Sequence, residues 1–295
     1  MKKIILSIIT VFILFIAMSC NSNKEASDIY TSCYPIYDLT KRIVGDKKTV
    51  SNLVKAGVEP HDYEPSTQDI KNLYDCELFI INGLNLEHYT SNLTNTITKK
   101  TFTATTSIEL IYSNHSHEEE HDHGDVDPHV WLDPNNAIIM MENIKNKMVE
   151  LDSENKAYYE DNFNKNKALF IELDREFKTE LTNLSSRYLV TSHEAFGYLC
   201  KAYGLTQLAI SGLSTEDEPT AAAIANLIDQ IKGLNVTTIF SEELVSSAIA
   251  ESIASQTGLI CDVLDPIEGL SEDNKTNDYL SLMRKNLTAI KKALA

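Results

Sequence analysis

The stretch from Glu154 to Leu184, ENKAYYEDNFNKNKALFIELDREFKTELTNL, is the longest periodic segment of the chain. Within it Tyr159, Phe163, Asn166, Phe170, Leu173, Phe177, Leu181 and Leu184 follow one another at steps of three or four. Such steps keep them on one helix face, apolar everywhere but at Asn166, while charged residues fill the other faces. The spacing predicts a single helix of roughly 45 Å at 1.5 Å per residue. A shorter helix precedes it, with Asp133 as N-cap and Pro134 at the first helical position, running to about Leu151.

On both sides of this pair, short apolar runs alternate with helical patterns. Upstream, Ile29 to Cys33, Thr49 to Val54, Leu78 to Asn82 and Phe102 to Thr105 read as strands. Helices near Ile36 to Val44, Ser66 to Asp75 and Leu86 to Thr98 separate them. Downstream the rhythm returns, with strands near Tyr188 to Thr191, Leu208 to Ile210, Thr237 to Phe240 and Leu259 to Asp262. Helices there run from about Pro219 to Leu234 and from Leu244 to Gln256, the latter closed by Gly258. The expected fold is α/β: two lobes, each with a mostly parallel sheet flanked by helices, joined by one long rigid helix. The divisions fall at 28–153, 154–184 and 185–295. A continuous helix between lobes is a stiff strut and should limit how far they close on a ligand.

The N-terminus points to export. Met1-Lys2-Lys3 is basic, and Ile4 to Met18 is an uncharged apolar run too short for a comfortable permanent span. Residues 1–19 therefore read as a signal peptide. Ala17-Met18-Ser19-Cys20 resembles the box at which a bacterial signal is cleaved and the new N-terminal cysteine lipidated, although Ala17 stands where such boxes usually carry Leu. Cys20 is the expected lipidation site, which would anchor the chain to the membrane outside the cytoplasm. The polar residues up to Ser27 have the composition of a tether. No later segment is apolar enough to cross a bilayer, which excludes a channel. The formal charge of -17 argues against nucleic acid or bare anionic lipid as a partner and suits a cationic ligand, though an acidic surface also serves solubility.

Besides Cys20 there are Cys33, Cys76, Cys200 and Cys261, none at Cys-x-x-Cys spacing. Cys33 and Cys76 fall in apolar, strand-like runs and read as small buried thiols. An exported chain leaves a Cys200–Cys261 bridge open. Of the eight histidines, His115, His117, His121 and His123 lie in a stretch from Asn114 to Asp125 that is otherwise acidic and polar, with no pattern able to support a core. Their imidazoles and the adjoining carboxylates suit divalent transition metals, held loosely for want of fixed geometry. The bland alternative is a merely polar loop.

His61, His129 and His193 have more distinctive settings. They lie in Glu59-Pro60-His61-Asp62-Tyr63-Glu64-Pro65-Ser66, in Asp127-Pro128-His129-Val130-Trp131-Leu132-Asp133-Pro134 and in Ser192-His193-Glu194-Ala195-Phe196-Gly197-Tyr198. Each follows a strand or leads into a helix, where α/β sheets gather their ligand sites. Singly, each is more often structural than a ligand, and spacing alone cannot join them.

The three segments, in this order around a long central helix, resemble the metal-binding solute-binding proteins of bacterial ABC transporters, specifically the ZnuA-like zinc branch of the ZnuA/TroA family. The resemblance covers essentially the whole mature chain. It implies that His61, His129 and His193 bind one Zn2+ in the cleft between lobes, as transported ligand, and that the partner is a membrane permease. A carboxylate from the second lobe completes such sites, here Glu268 or Asp265 in Leu264-Asp265-Pro266-Ile267-Glu268. Zinc relatives use a Glu in this turn and manganese relatives an Asp at the place of Asp265, which favours Glu268. Three imidazoles and one carboxylate suit tetrahedral zinc, whereas manganese favours oxygen-rich sites. The chain is expected to act as a monomer. A manganese- or iron-binding member of the same family is the alternative reading. From other classes, a zinc hydrolase lacks a His-Glu-x-x-His helix or any Gly-x-Ser-x-Gly elbow, and a metal-stabilised adhesin stays open.

Overall fold

A computed structural model describes residues 27–113, 125–215 and 219–295. The signal run, Cys20 with most of the tether, and His115, His117, His121 and His123 lie outside the described residues.

The first sheet contains β1 (Ile29–Thr31), β2 (Val50–Asn52), β3 (Leu78–Ile81) and β4 (Thr101–Thr103), ordered β2-β1-β3-β4. The second contains β5 (Tyr188–Thr191), β6 (Thr206–Ala209), β7 (Thr238–Ser241) and β8 (Ile260–Val263), ordered β6-β5-β7-β8. All six pairings are parallel, so all strands of a sheet present their carboxyl ends on one side. The central strands β3 and β7 are buried throughout, as strands covered by helices on both faces should be.

Around the sheets run α1 (Tyr34–Val44), α2 (Thr67–Asp75), α3 (Asn95–Thr98), α4 (Pro134–Leu151), α5 (Lys156–Glu180), α6 (Gly197–Tyr203), α7 (Ala221–Ile231), α8 (Ala248–Thr257) and α9 (Tyr279–Leu294). The start of α4 is the expected one, with Asp133 accepting from the Asn135 amide at 2.8 Å and Pro134 just inside. Gly258 ends α8 in the left-handed region that favours glycine.

The long helix α5 has 25 residues, roughly 37 Å. It is shorter than the stretch to Leu184 because Arg187 draws the chain aside, donating to the carbonyls of Leu181 at 3.1 Å and Thr182 at 2.9 Å that a longer helix would have used internally. Tyr159, Phe163, Phe170, Leu173 and Phe177 are buried along one face. Asn166, the polar interruption of that stripe, is satisfied: its amide donates to the Arg42 carbonyl and its oxygen accepts from the Arg42 guanidinium, both at 3.2 Å. The helix is more than a strut. Phe170 stacks on Tyr279 of α9, Phe177 stacks on Tyr203 of α6, and one continuous core unites these rings with Ile36 and Leu39 of α1.

Two further expectations are corrected, and one open question closes. Leu86 to Thr98 is not one helix but a 3-10 turn at His88–Asn92 followed by α3, separated by Thr94 in extended conformation. The buried Glu87 carboxylate there turns back to accept the amides of Asn82 and Gly83, both at 2.8 Å, and ties the segment to the end of β3. Cys33 and Cys76 are buried but stand at helix ends, Cys33 capping α1 and Cys76 closing α2, rather than within strands. Cys200 and Cys261 are free thiols. Among the described residues no helix is long and apolar enough to cross a membrane.

Candidate metal centre

Four loops carry the site, each leaving the carboxyl side of a strand, where parallel sheets present ligand-binding loops. After β2, His61 follows Pro60 and donates its amide to Glu59 Oε1 at 3.1 Å. Beyond β4, His129 follows Pro128; its amide donates to Asp127 Oδ1 at 2.9 Å, and its ring Nδ1 lies 2.8 Å from the same oxygen. Asn82 holds this turn from below by donating to the Pro128 carbonyl at 3.0 Å. After β5, His193 places Nδ1 2.7 Å from Glu242 Oε1, a carboxylate that follows β7. Beyond β8, the Asp265-Pro266-Ile267 turn presents Glu268. The Trp131 indole donates to the Pro266 carbonyl at 2.8 Å, and the Tyr34 amide donates to the Glu268 carbonyl at 3.1 Å. The second lobe's turn is thereby fastened to the first lobe.

Ile267 has a φ of 61°, in the left-handed region that a β-branched residue rarely occupies. Such a conformation persists only where surrounding contacts enforce it, and it is common where a side chain must be aimed. Here it follows the proline and immediately precedes Glu268.

Nε2 of His129 lies 3.3 Å from Nε2 of both His61 and His193. Glu268 Oε1 lies 2.8 Å from Nε2 of His129, 3.3 Å from that of His193 and 3.6 Å from that of His61. All four ligand atoms fall within 4.8 Å of one another. A tetrahedral zinc with bonds of about 2.0–2.1 Å separates its ligand atoms by about 3.3–3.4 Å along each edge. The observed spacings cluster around that edge length, so the group fits a zinc ion.

Protonation strengthens the fit. Asp127 and Glu242 as carboxylates can only accept, so Nδ1 of His129 and of His193 is the donor, leaving Nε2 in the neutral rings as a lone pair. In the neutral rings two such lone pairs and a carboxylate face one another in a buried space, an arrangement that a metal ion relieves, or a proton on a ring in its place. Neither Glu268 oxygen has a hydrogen-bond partner of acceptable geometry, although the side chain is only 1% exposed and imidazole nitrogens surround it. Orientation of metal-bound histidines by carboxylates is a usual device for fixing the ring and raising its basicity.

The same carboxylates also favour a proton on each ring, which zinc must displace to bind. Burial works against a charged His193 or His129 ring. For His193 the neighbouring Glu242 carboxylate, then Glu268, outweighs it, and the pKa stands well above the ordinary value. For His129, Asp127 and Glu268 do the same to a lesser degree. Burial would raise Glu268, but the three imidazoles outweigh it and hold the carboxylate well below its usual range. Burial first, and the Glu268 charge second, push Glu59 up to about 9. Asp265 is pushed up to about 7, chiefly by burial, with Glu243 and Glu268 adding to the shift.

Asp265 stays out of the four-atom group: its Oδ1 accepts from the Ile267 amide at 2.7 Å and shapes the turn. The sequence pattern did not reveal Glu242. Its signal is only an acidic pair after a buried strand, and it becomes legible once β7 is known to lie beside β5. Nor did the pattern assign a task to Asp127 or Glu59, both quoted in their motifs.

The family model described as zinc-uptake complex component A, periplasmic, matches residues 29–293. The zinc-binding lipoprotein AdcA of Streptococcus pneumoniae is 38% identical over 309 residues, covering 99% of this chain and 61% of the relative. The chain thus spans less than two thirds of that protein. The high-affinity zinc uptake system protein ZnuA of Bacillus subtilis is 37% identical over 301 residues, covering 96% of this chain and 94% of the relative. Among solved structures, the Zn(II)-bound ZnuA-like domain of Streptococcus pneumoniae AdcA superimposes with a TM-score of 0.77 at 35% identity, covering 90% of this chain and 98% of that one.

Proposed function

We infer the role of this chain from the family to which it belongs, the zinc-uptake complex component A proteins: it captures Zn2+ outside the cytoplasmic membrane and passes it to the permease of a metal ABC transporter. Zinc is cargo here, not a resident cofactor. The observation that carries the reading is the buried group of His61, His129, His193 and Glu268 at tetrahedral spacing, assembled from both lobes. Three neutral imidazoles and one carboxylate favour zinc over manganese or iron. A fourth protein ligand leaves no position for a catalytic water, which favours reversible capture over hydrolysis.

In this reading residues 28–153 and 185–295 are the capturing lobes, and the segment 154–184 holds them together. Cys20 carries a lipid that keeps a monomeric chain at the membrane, and His115, His117, His121 and His123 collect zinc loosely beside the cleft. Equilibrium metal competition with elemental analysis of the purified protein is the test. One zinc per chain, held against excess manganese, is the expected result; preferential retention of manganese would overturn it.

A further inference from the structure

Beside the four ligands lies a small cavity lined by Glu59, Glu242, Glu243, Asp265 and Glu268, with Leu244 and Gly269 at its wall. Its carboxylates are graded by depth. Glu243 is exposed, Glu59 and Asp265 are half-buried, and Glu242 and Glu268 are buried. None of the five forms an ion pair with a lysine or arginine among the described residues. Glu243 is held by the Asn274 amide, and Asp265 by the Ile267 amide. At the deep end stand the two Glu268 oxygens, buried and without hydrogen bonds, whereas the ligand histidines themselves are almost closed to solvent.

We propose that this carboxylate-lined cavity is the route by which the cation reaches and leaves the four ligands, with Glu243 steering at the mouth and Glu59 and Asp265 guiding it inward. The inference rests on the zinc-capture reading above. Glu243 at the mouth and Glu268 at the deep end set a negative field between low-dielectric walls, which raises the local concentration of a counter-ion; Glu59 and Asp265, whose carboxyls burial pushes up, offer it oxygens as it enters and displaces their protons. The cavity ends at the one ligand that carries formal charge, so a hydrated cation exchanges waters for carboxylate oxygens before it meets the imidazoles. The walls come from both lobes: a Cβ on Gly269 would stand 3.1 Å from the Val58 carbonyl and 3.0 Å from Leu244, so the passage has no width to spare.

Stopped-flow capture of zinc by the full chain, with release measured into excess chelator, tests the route. Glu243→Lys should slow association about 3- to 10-fold at low ionic strength, with the difference shrinking as salt screens it. Asp75→Lys makes the same change of charge at the amino ends of the first sheet, three residues ahead of Leu78, and should leave the rate within about 1.5-fold. Leu244→Trp, which narrows the passage without touching a ligand, should slow capture and release by the same factor and keep the affinity. Equal rates for Glu243→Lys and Asp75→Lys, or an unaltered exchange rate in Leu244→Trp, would overturn the route while leaving the site intact. An unsubstituted chain that holds no tight zinc would overturn both.

Discussion

Two turns, one in each lobe, come after the fourth strand of their sheets and open alike: Asp127-Pro128-His129 and Asp265-Pro266-Ile267. In both, aspartate Oδ1 accepts the amide of the residue beyond the proline, at 2.9 Å in the first and 2.7 Å in the second. They diverge in what that oxygen does next. In the first lobe it also holds the His129 ring, so ligand and support sit two residues apart. In the second the corresponding position is Ile267, held at positive φ, and the proposed ligating group stands one residue onward, at Glu268. The same local chemistry thus fixes a ring directly in one lobe and only a backbone in the other. In the proposed site the two acids differ in what they face: Asp265 accepts a backbone amide of its own turn, and Glu268 meets the imidazoles.

The largest expected effect breaks the first turn. His129→Ala removes a ring nitrogen that lies 3.3 Å from those of His61 and His193 and 2.8 Å from Glu268 Oε1, and the folded variant should lose zinc affinity by well over the roughly 100-fold that outer partners can cost. Competition titration showing unchanged affinity would contradict the assignment of His129, and with it the comparison. Next comes the second turn. Glu268→Ala should weaken zinc binding by clearly more than Asp265→Ala, whose effect passes through the turn it shapes; equal losses in parallel titrations would erase the distinction between the two acids. Removing support while keeping the rings is milder. Asp127→Asn and Glu242→Gln should each cost about 10- to 100-fold, because an amide no longer enforces Nδ1 as the donor.

Acid sharpens the same contrast. Protons compete with zinc for the imidazoles, so affinity falls as pH falls. The carboxylates beside His129 and His193 raise their pKa values above 6.5, so the loss begins at a higher pH than for isolated histidines; Glu268, shifted down, stays charged throughout this window. Apparent affinity measured from about pH 8.5 to about pH 6 should decline across the neutral range. A plateau reaching down to about pH 6.5 would show that the carboxylate partners do not act on the rings as described. The smallest effect on the tight ion belongs to the His115 to His123 segment: deleting residues 114–125 should remove weak additional zinc while one tight ion remains in calorimetric titration.

Much of this architecture could be read from pattern. Tyr188 to Thr191 is a strand with the expected bounds, since an apolar run fenced by polar residues needs no tertiary knowledge. Asp133-Pro134 declares a helix start through local hydrogen bonding alone. The candidate ligand histidines stand out only through their motifs, because periodicity says nothing about residues 64 and 68 positions apart that meet at one site. Other features depended on contacts that no local signal carries. The break after Leu86 follows from Glu87 folding back on Asn82, and the end of α5 from Arg187 capturing two carbonyls. Helix α9 was missed despite a regular stripe of Tyr279, Leu282, Met283, Asn286, Leu287 and Ile290. Its Asn286 matters to the site, since its oxygen accepts from the Asp265 amide and its amide donates to the Asp265 carbonyl.

A crystal structure of the zinc-loaded protein tests the central claim most directly. The account expects one ion bound by Nε2 of His61, His129 and His193 at about 2.0–2.1 Å and by a Glu268 oxygen at about 2.0–2.2 Å, with Asp265 still accepting from the Ile267 amide. An Asp265 oxygen on the metal with Glu268 turned away, or an ion held without one of the three rings, would contradict it.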